Sequence, residues 1–233
     1  AKNAMEQIYA NGHIPIVVGG TGFYIQALLY DIDFTSIAQD DTYRAELENL
    51  VKEKGAAYLH NMLRKVDPKS AEDIHANNVK RVIRALEYYR QTGQKMSEHN
   101  EEERRKESPY EFVYFVLNAP REQLYARIDR RVDQMIEEGL VDEVKHLKEL
   151  GCTKEMVSMQ GLGYKEILAY LDGECDLDTA VYTIKRDTRH FAKRQLTWFR
   201  RERQVTWIQK EVYDYDEDRI LKAMLSHLEG RIC

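Results

Sequence analysis

The stretch Ile14–Tyr24, IPIVVGGTGFY, constrains this chain more than any other. A short apolar run, Ile14–Val18, enters the turn Gly19-Gly20-Thr21-Gly22, and an apolar helical pattern leaves it through Leu29. A strand that enters a glycine turn and leaves as a helix is where α/β folds place phosphates, because the first helical turn carries unpaired N–H groups. Ile14–Val18 is therefore read as a buried strand. The turn is not a Walker A loop, since no lysine completes G-x-x-x-x-G-K-[ST], and its glycines do not fit G-x-G-x-x-G. Two readings stay open. The turn serves backbone geometry alone, or Gly19, Gly20 and Thr21 aim N–H groups and one hydroxyl at a ligand's polar group.

The chain alternates between two kinds of sequence around that junction. Residues 1–12 read as a helix closed by Asn11-Gly12. From about Asp40 to Glu107 the sequence is charged, helical and glycine-poor. Asp41-Thr42 and Asp67-Pro68 serve as helix starts, and Arg81–Tyr89 carries an apolar stripe. Glu111–Leu117 (EFVYFVL) reads as a second strand, followed by an amphipathic helix, and Val205–Ile208 as a last one. Strands alternating with helices predict a parallel α/β core. The predicted organisation is a core from residues 1–39 and 108–233, with a helical insertion at 40–107. The chain opens inside a helix, so a strand–loop–helix unit is expected ahead of it, the alternative being a loose natural N-terminus.

With 233 residues, 43% of them hydrophobic, a sizeable core is possible beneath a surface rich in charge. No apolar run approaches the roughly 18 residues of a membrane span, and no secretory signal opens the chain. Cys152, Cys175 and Cys233 are scattered without metal-ligand spacing and read as reduced thiols of a cytoplasmic protein. The seven histidines form no metal or triad constellation. A net charge of -5 does not predict a polyanionic partner, so any nucleic-acid reading must rest on local clustering.

Local clustering is present. Lys185 through Arg203 holds eight Lys or Arg against two acids, Asp187 and Glu202. On a helical wheel Arg186, Arg189, Lys193, Thr197 and Arg200 share an arc of roughly 80°, with Ile184, Phe191, Ala192 and Phe199 opposite. That is the footprint of a phosphate backbone. Trp198 and Tyr164 could offer stacking faces to an unpaired base. A second basic cluster, Lys80, Arg81, Arg84 and Arg90 with only Glu87 against it, lies on the insertion. Two basic lobes suit a folded RNA better than a mononucleotide. Finally, Arg127 and Arg131 are one helical turn apart, with Leu124, Ile128 and Met135 turned inward. Two guanidiniums on one face can clamp a diphosphate and stabilise a leaving group. Equally, they can form a solvated face paired to Asp129 and Glu137 or Glu138.

Taken in order, PIVVGGTGFYIQALL, NNVKRVIRALEYYRQTG, LYARIDRRVDQMIEEGLVDEV, SMQGLGYKEI and TRHFAKRQLTWFRRE cover nearly the whole chain. Together they resemble the tRNA dimethylallyltransferases, or tRNA isopentenyltransferases. The resemblance implies a P-loop kinase-like core with a helical insertion that grips an anticodon stem-loop. It implies transfer of a dimethylallyl group from dimethylallyl diphosphate, normally with Mg²⁺, to N6 of the adenosine immediately 3′ of the anticodon. By position it assigns Arg131 to the diphosphate as a catalytic group, with Arg127 one turn before it and Gly19 and Gly20 beside the same group. Thr21 is placed near the target base, also as a catalytic group. The tRNA contacts it implies are Arg44, the segment Lys80, Arg81, Val82, Ile83 and Arg84, the loop Gln160, Gly161, Leu162, Gly163, Tyr164 and Lys165, and Arg189, Lys193, Arg194 and Gln195. No membrane or DNA partner is expected, and a monomer is.

The family's phosphate loop and its D-S-x-Q-x-Y motif, which carries the catalytic aspartate, do not occur in this sequence. The chain by itself is therefore expected to bind RNA partially and not to catalyse transfer. The competing readings are a P-loop small-molecule kinase or adenylate dimethylallyltransferase, and a non-catalytic RNA-binding module.

Overall fold

The structure, a computed structural model, describes residues 1–32 and 41–232. The expected insertion boundary at 39/40 and the thiol of Cys233 lie outside the described residues. The chain forms two compact units, one of Ala1–Val18 and Phe23–Glu111, the other of Gly19–Gly22 and Phe112–Cys233.

The first unit is helical. It begins with α1 (Lys2–Ala10), which stops at Asn11 as the sequence predicts, and α2 (Gly22–Leu29) follows the glycine turn. Five helices come next: α3 (Asp41–Lys54), α4 (Ala56–Val66), α5 (Pro68–Asp73), α6 (Val79–Thr92) and α7 (Met96–Arg105). They share a core of Leu47, Leu59, Leu63, Ile74, Val82, Ile83 and Leu86. The Ser108 hydroxyl donates to the Leu29 carbonyl at 2.6 Å, so the chain leaves this helical set beside the point where it entered.

Two buried carboxylates organise the set. Asp67 caps α5, with Pro68 at the first helical position, where a missing N–H costs nothing. Its carboxylate accepts from the backbone N–H and hydroxyl of Ser70 (3.0 and 2.6 Å). It accepts equally from the N–H and hydroxyl of Ser97 on α7 (3.0 and 2.6 Å). Glu87, on the inner face of α6, receives Arg44 of α3 through Nε and Nη2, both at 2.8 Å.

The second unit is α/β. Strand β1 (Tyr114–Asn118) pairs in parallel with β2 (Val205–Gln209), running from Tyr114 opposite Val205 to Asn118 opposite Gln209. Between them lie α8 (Arg121–Glu137), α9 (Leu140–Glu149), α10 (Tyr164–Leu171) and α11 (Leu177–Phe199), and α12 (Glu217–Ile232) closes the chain. Val132, Leu140, Val144, Met159, Ile167, Leu168, Ala180 and Ile184 form the core shared by α8–α11. The α/β class with a parallel sheet and a separate helical segment is thus as expected.

Three local expectations need correction. Ile14–Val18 forms no strand, and Ile14, Ile16 and Val18 are 78%, 85% and 90% exposed. An apolar run becomes a buried strand only where another strand pairs with it and a layer covers it. Among the described residues β1 and β2 pair only with each other. Strand β1 begins three residues later than expected, because its ladder extends only as far as the five-residue partner β2. Phe191, set opposite the basic arc on the wheel with the apolar residues, is nonetheless 42% exposed, with the Arg194 guanidinium 5.7 Å from its ring centroid.

Candidate nucleic-acid and diphosphate site

Helix α11 has the grammar of a long, well-started helix. Asp176 caps it by accepting from the Thr179 N–H at 2.8 Å, and Ala180, Ile184, Ala192 and Phe199 bury its inner side. Its basic residues do not all face solvent. Arg189 places Nη1 2.6 and 2.8 Å from the two oxygens of Asp129 on α8, and Lys185 sits 2.5 Å from Asp133. Those two cations bind α11 to α8. Arg186 bonds its neighbour Asp187 at 2.8 Å and holds that carboxyl below the ordinary aspartate value.

The cations left over lie elsewhere on the helix. His190, Lys193, Arg194, Thr197, Trp198 and Arg201 line an open groove of about 390 Å³. At 100° per residue its centre is turned by about 70° from the arc read off the sequence. Lys193 and Arg194 belong to it and Arg189 does not. Thr197 of that arc belongs to it too, and His190, Trp198 and Arg201 complete it; Arg201 counts in the basic cluster and Trp198 reads as a stacking face, whereas His190 had no sequence signal. Burial pushes the Glu202 carboxyl above the ordinary glutamate value, and its interaction with Trp198 acts in the opposite direction.

The glycine turn belongs to this same unit. The Gln195 side-chain amide donates to the Gly20 carbonyl at 2.6 Å. Gly22 lies against Trp198 so closely that a Cβ there would overlap Cδ1 and Nε1 of the indole. Thr21, between them, is exposed. The turn is glycine-rich because α11 approaches its backbone. Gly19 meets no such neighbour.

On α8, Arg127 and Arg131 are exposed. Residues two apart on a helix point to nearly opposite sides, so Asp129 and Asp133 face α11 while the two arginines face away. Neither arginine has an ion-pair or hydrogen-bond partner among the described residues. Glu138 accepts from Gln134 instead. The two guanidiniums are thus available together, one turn apart, which suits an oxyanion that takes several donors. They share the unit with Thr21.

The loop before α10 is shaped by Gly163, whose φ of 100° disfavours any side chain, and its N–H donates to Glu166 at 2.9 Å. Gln160, Gly161 and Lys165 are exposed, Leu162 and Tyr164 half-buried. The Tyr164 hydroxyl bonds Glu143, and that bond raises its pKa ahead of burial. In the helical unit Lys80, Arg81 and Arg84 are exposed on α6, whereas Val82 and Ile83, named with them from the sequence, serve the core at 0% and 3% exposure. Arg44 is committed to Glu87. Among the described residues no three His, Cys, Asp or Glu side chains converge to hold a metal, and no helix is long and apolar enough to cross a membrane.

Residues 1–202 match the IPP transferase family. The chain belongs to that family. It is 60% identical, over 98% of its length and 72% of the relative's, to the tRNA dimethylallyltransferase of Lachnoclostridium phytofermentans. The enzyme of the same name from Acetivibrio thermocellus is 50% identical over the same shares. Among solved structures, a tRNA isopentenylpyrophosphate transferase from Bacillus halodurans superposes with a TM-score of 0.58 at 40% identity, covering 97% of this chain and 74% of that one. A eukaryotic dimethylallyltransferase acting on tRNA gives 0.75 at 30% identity, covering 96% and 58%. The IPP transferase match thus runs through both units, from the glycine turn to the basic helix. Neither the kinase nor the purely RNA-binding reading is favoured by it.

Proposed function

We propose that this chain belongs to an enzyme that transfers a dimethylallyl group from dimethylallyl diphosphate to N6 of the adenosine immediately 3′ of a tRNA anticodon. In that reaction N6 forms a bond to the allylic C1, the C1–O bond to diphosphate breaks, and N6 gives up a proton. An exocyclic amine is a poor nucleophile, so stabilising the departing diphosphate is the larger task. Arg127 and Arg131 supply two uncommitted guanidiniums for it. The α11 groove holds the RNA backbone, Trp198 stacks on a base, and Thr21 faces the base that reacts. The observation that carries this reading is the groove itself, a basic surface with an indole beside the glycine turn. The helical insertion expected at 40–107 adds Lys80, Arg81 and Arg84 against the stem.

Mg²⁺ accompanies the diphosphate in this proposal. The described residues offer no cluster to hold the ion, so no residue here is assigned to it and no step runs through it. A monomeric, cytoplasmic enzyme completes the reading.

Two measurements test the RNA assignment. Adenosine monophosphate in excess should not displace an anticodon stem-loop from the protein, because a mononucleotide engages neither basic lobe. Effective competition would favour a small-molecule enzyme. Salt titration of stem-loop binding should show that Lys193→Ala and Arg194→Ala each flatten the slope of log affinity against log salt by about 0.7–0.9. Arg189→Ala should change it by less than about half of that, since Asp129 already neutralises Arg189. Equal effects from all three would mean that the pair opens on binding.

A further inference from the structure

Thr21 is exposed and must be held still to act on one base, yet among the described residues its side chain has no hydrogen-bond partner. The residues on either side do. Gly20 is held through its carbonyl by the Gln195 amide at 2.6 Å, and Gly22 is pressed against the Trp198 indole. Gln195 and Trp198 are three apart on α11 and so present to one side of it. Helix α11 is anchored in turn by Asp129 and Asp133.

From this arrangement we infer that Gln195 and Trp198 are positioning residues, forming a clasp on α11 that sets where Thr21 stands. The inference rests on the proposed transfer reaction, with Thr21 at the target base. It changes the role of Gln195. The sequence places Gln195 among the tRNA contacts, and the structure engages its side-chain amide on the Gly20 carbonyl. Trp198 then has two duties, lining the groove on one side and stopping Gly22 on the other. The same clasp accounts for both inner glycines. A side chain at Gly20 would meet the far end of Gln195, which can move. One at Gly22 would meet the rigid indole, which cannot.

The test has a structural arm and a kinetic arm. In the structural arm, amide hydrogen exchange of Gly20–Gly22 is measured in the chain itself. Gln195→Met, which keeps the length but loses the donor, should speed exchange there by about tenfold, while amides in α8 stay unchanged. In the kinetic arm, single-turnover transfer is measured with a form of the enzyme that also carries the family's phosphate-loop and aspartate motifs. Gln195→Met should lower the rate by about tenfold with the RNA half-saturation unchanged. Gln195→Lys, which restores a donor of similar reach, should recover most of that loss. Gly22→Ala should lower the rate further, and adding Trp198→Leu to it should recover part, because the smaller side chain makes room.

Unchanged exchange at the turn would overturn the clasp. So would a loss in Gln195→Met that disappears when RNA is raised to saturation, since that is the behaviour of a plain RNA contact. A wild-type enzyme that labels no RNA would overturn the proposed function instead, and the exchange arm would still decide the clasp.

Discussion

Replacing Arg131 by alanine is expected to lower the single-turnover rate of dimethylallyl transfer by about 10²–10³-fold, with stem-loop affinity unchanged within about twofold. The magnitude is that of removing one preformed donor from a developing oxyanion. The direction follows from how α8 sorts its charges. Asp129 and Asp133 are spent on Arg189 and Lys185 of α11. Arg127 and Arg131 emerge on the other side of the helix, and among the described residues no carboxylate pairs with them. Arg131→Lys should rescue only part of the rate, since an ammonium offers a point charge in place of a planar fork. Arg127→Ala should cost less than Arg131→Ala, and the double variant less than the product of the two, because both act on one leaving group. A loss confined to RNA affinity would move the pair from the diphosphate to the RNA backbone.

The second large effect concerns stability. Asp67→Ala is expected to destabilise the helical unit by about 3–5 kcal/mol, read as a lowered urea midpoint of the helical circular dichroism signal. The carboxylate is fully buried and accepts four hydrogen bonds, two from Ser70 and two from Ser97. Its removal uncaps α5 and strands the Ser97 N–H at the start of α7. Burial pushes the Asp67 pKa up, but the bonds from Ser70 and Ser97 together outweigh it and hold it below the ordinary value of 3.8. The sign of the pH dependence follows. With the folded pKa depressed, the stabilisation is complete above about 3.8 and is lost as pH falls through the lower folded value. Asp67→Asn should remove that acid-side dependence along with much of the stability. A variant as stable as wild type would show that the serines find other partners.

These features differ in how far they could be read from the sequence, and the difference is one of range. Asp67-Pro68 announces a helix start within two residues, because capping is local, and the structure has it. The apolar stripe of α6 and the strand near Val205 were legible for the same reason. Ile14–Val18 has strand composition, but pairing is supplied by other segments, and its own residues cannot say whether a partner lies alongside. The basic arc of α11 was displaced because Arg189 answers to Asp129, 60 positions upstream, and a helical wheel sees only its own helix. Gln195 reaches across 175 positions to Gly20. Its only trace in the sequence is the second glycine of the turn, which by itself reads equally well as a tight bend. The tRNA assignments of Val82 and Ile83 came with a motif whose exposed members are Lys80, Arg81 and Arg84, and the hydrophobic members hold the helix that displays them.

The most direct test uses the chain joined to a segment that supplies the phosphate loop and the aspartate motif. It is incubated with labelled dimethylallyl diphosphate and an anticodon stem-loop carrying adenosine 3′ of the anticodon, alongside the same loop with guanosine there. Label is expected in the adenosine loop alone and is lost with Arg131→Ala. Tight binding of both loops with label in neither would contradict it and leave an RNA-binding protein in place of a transferase.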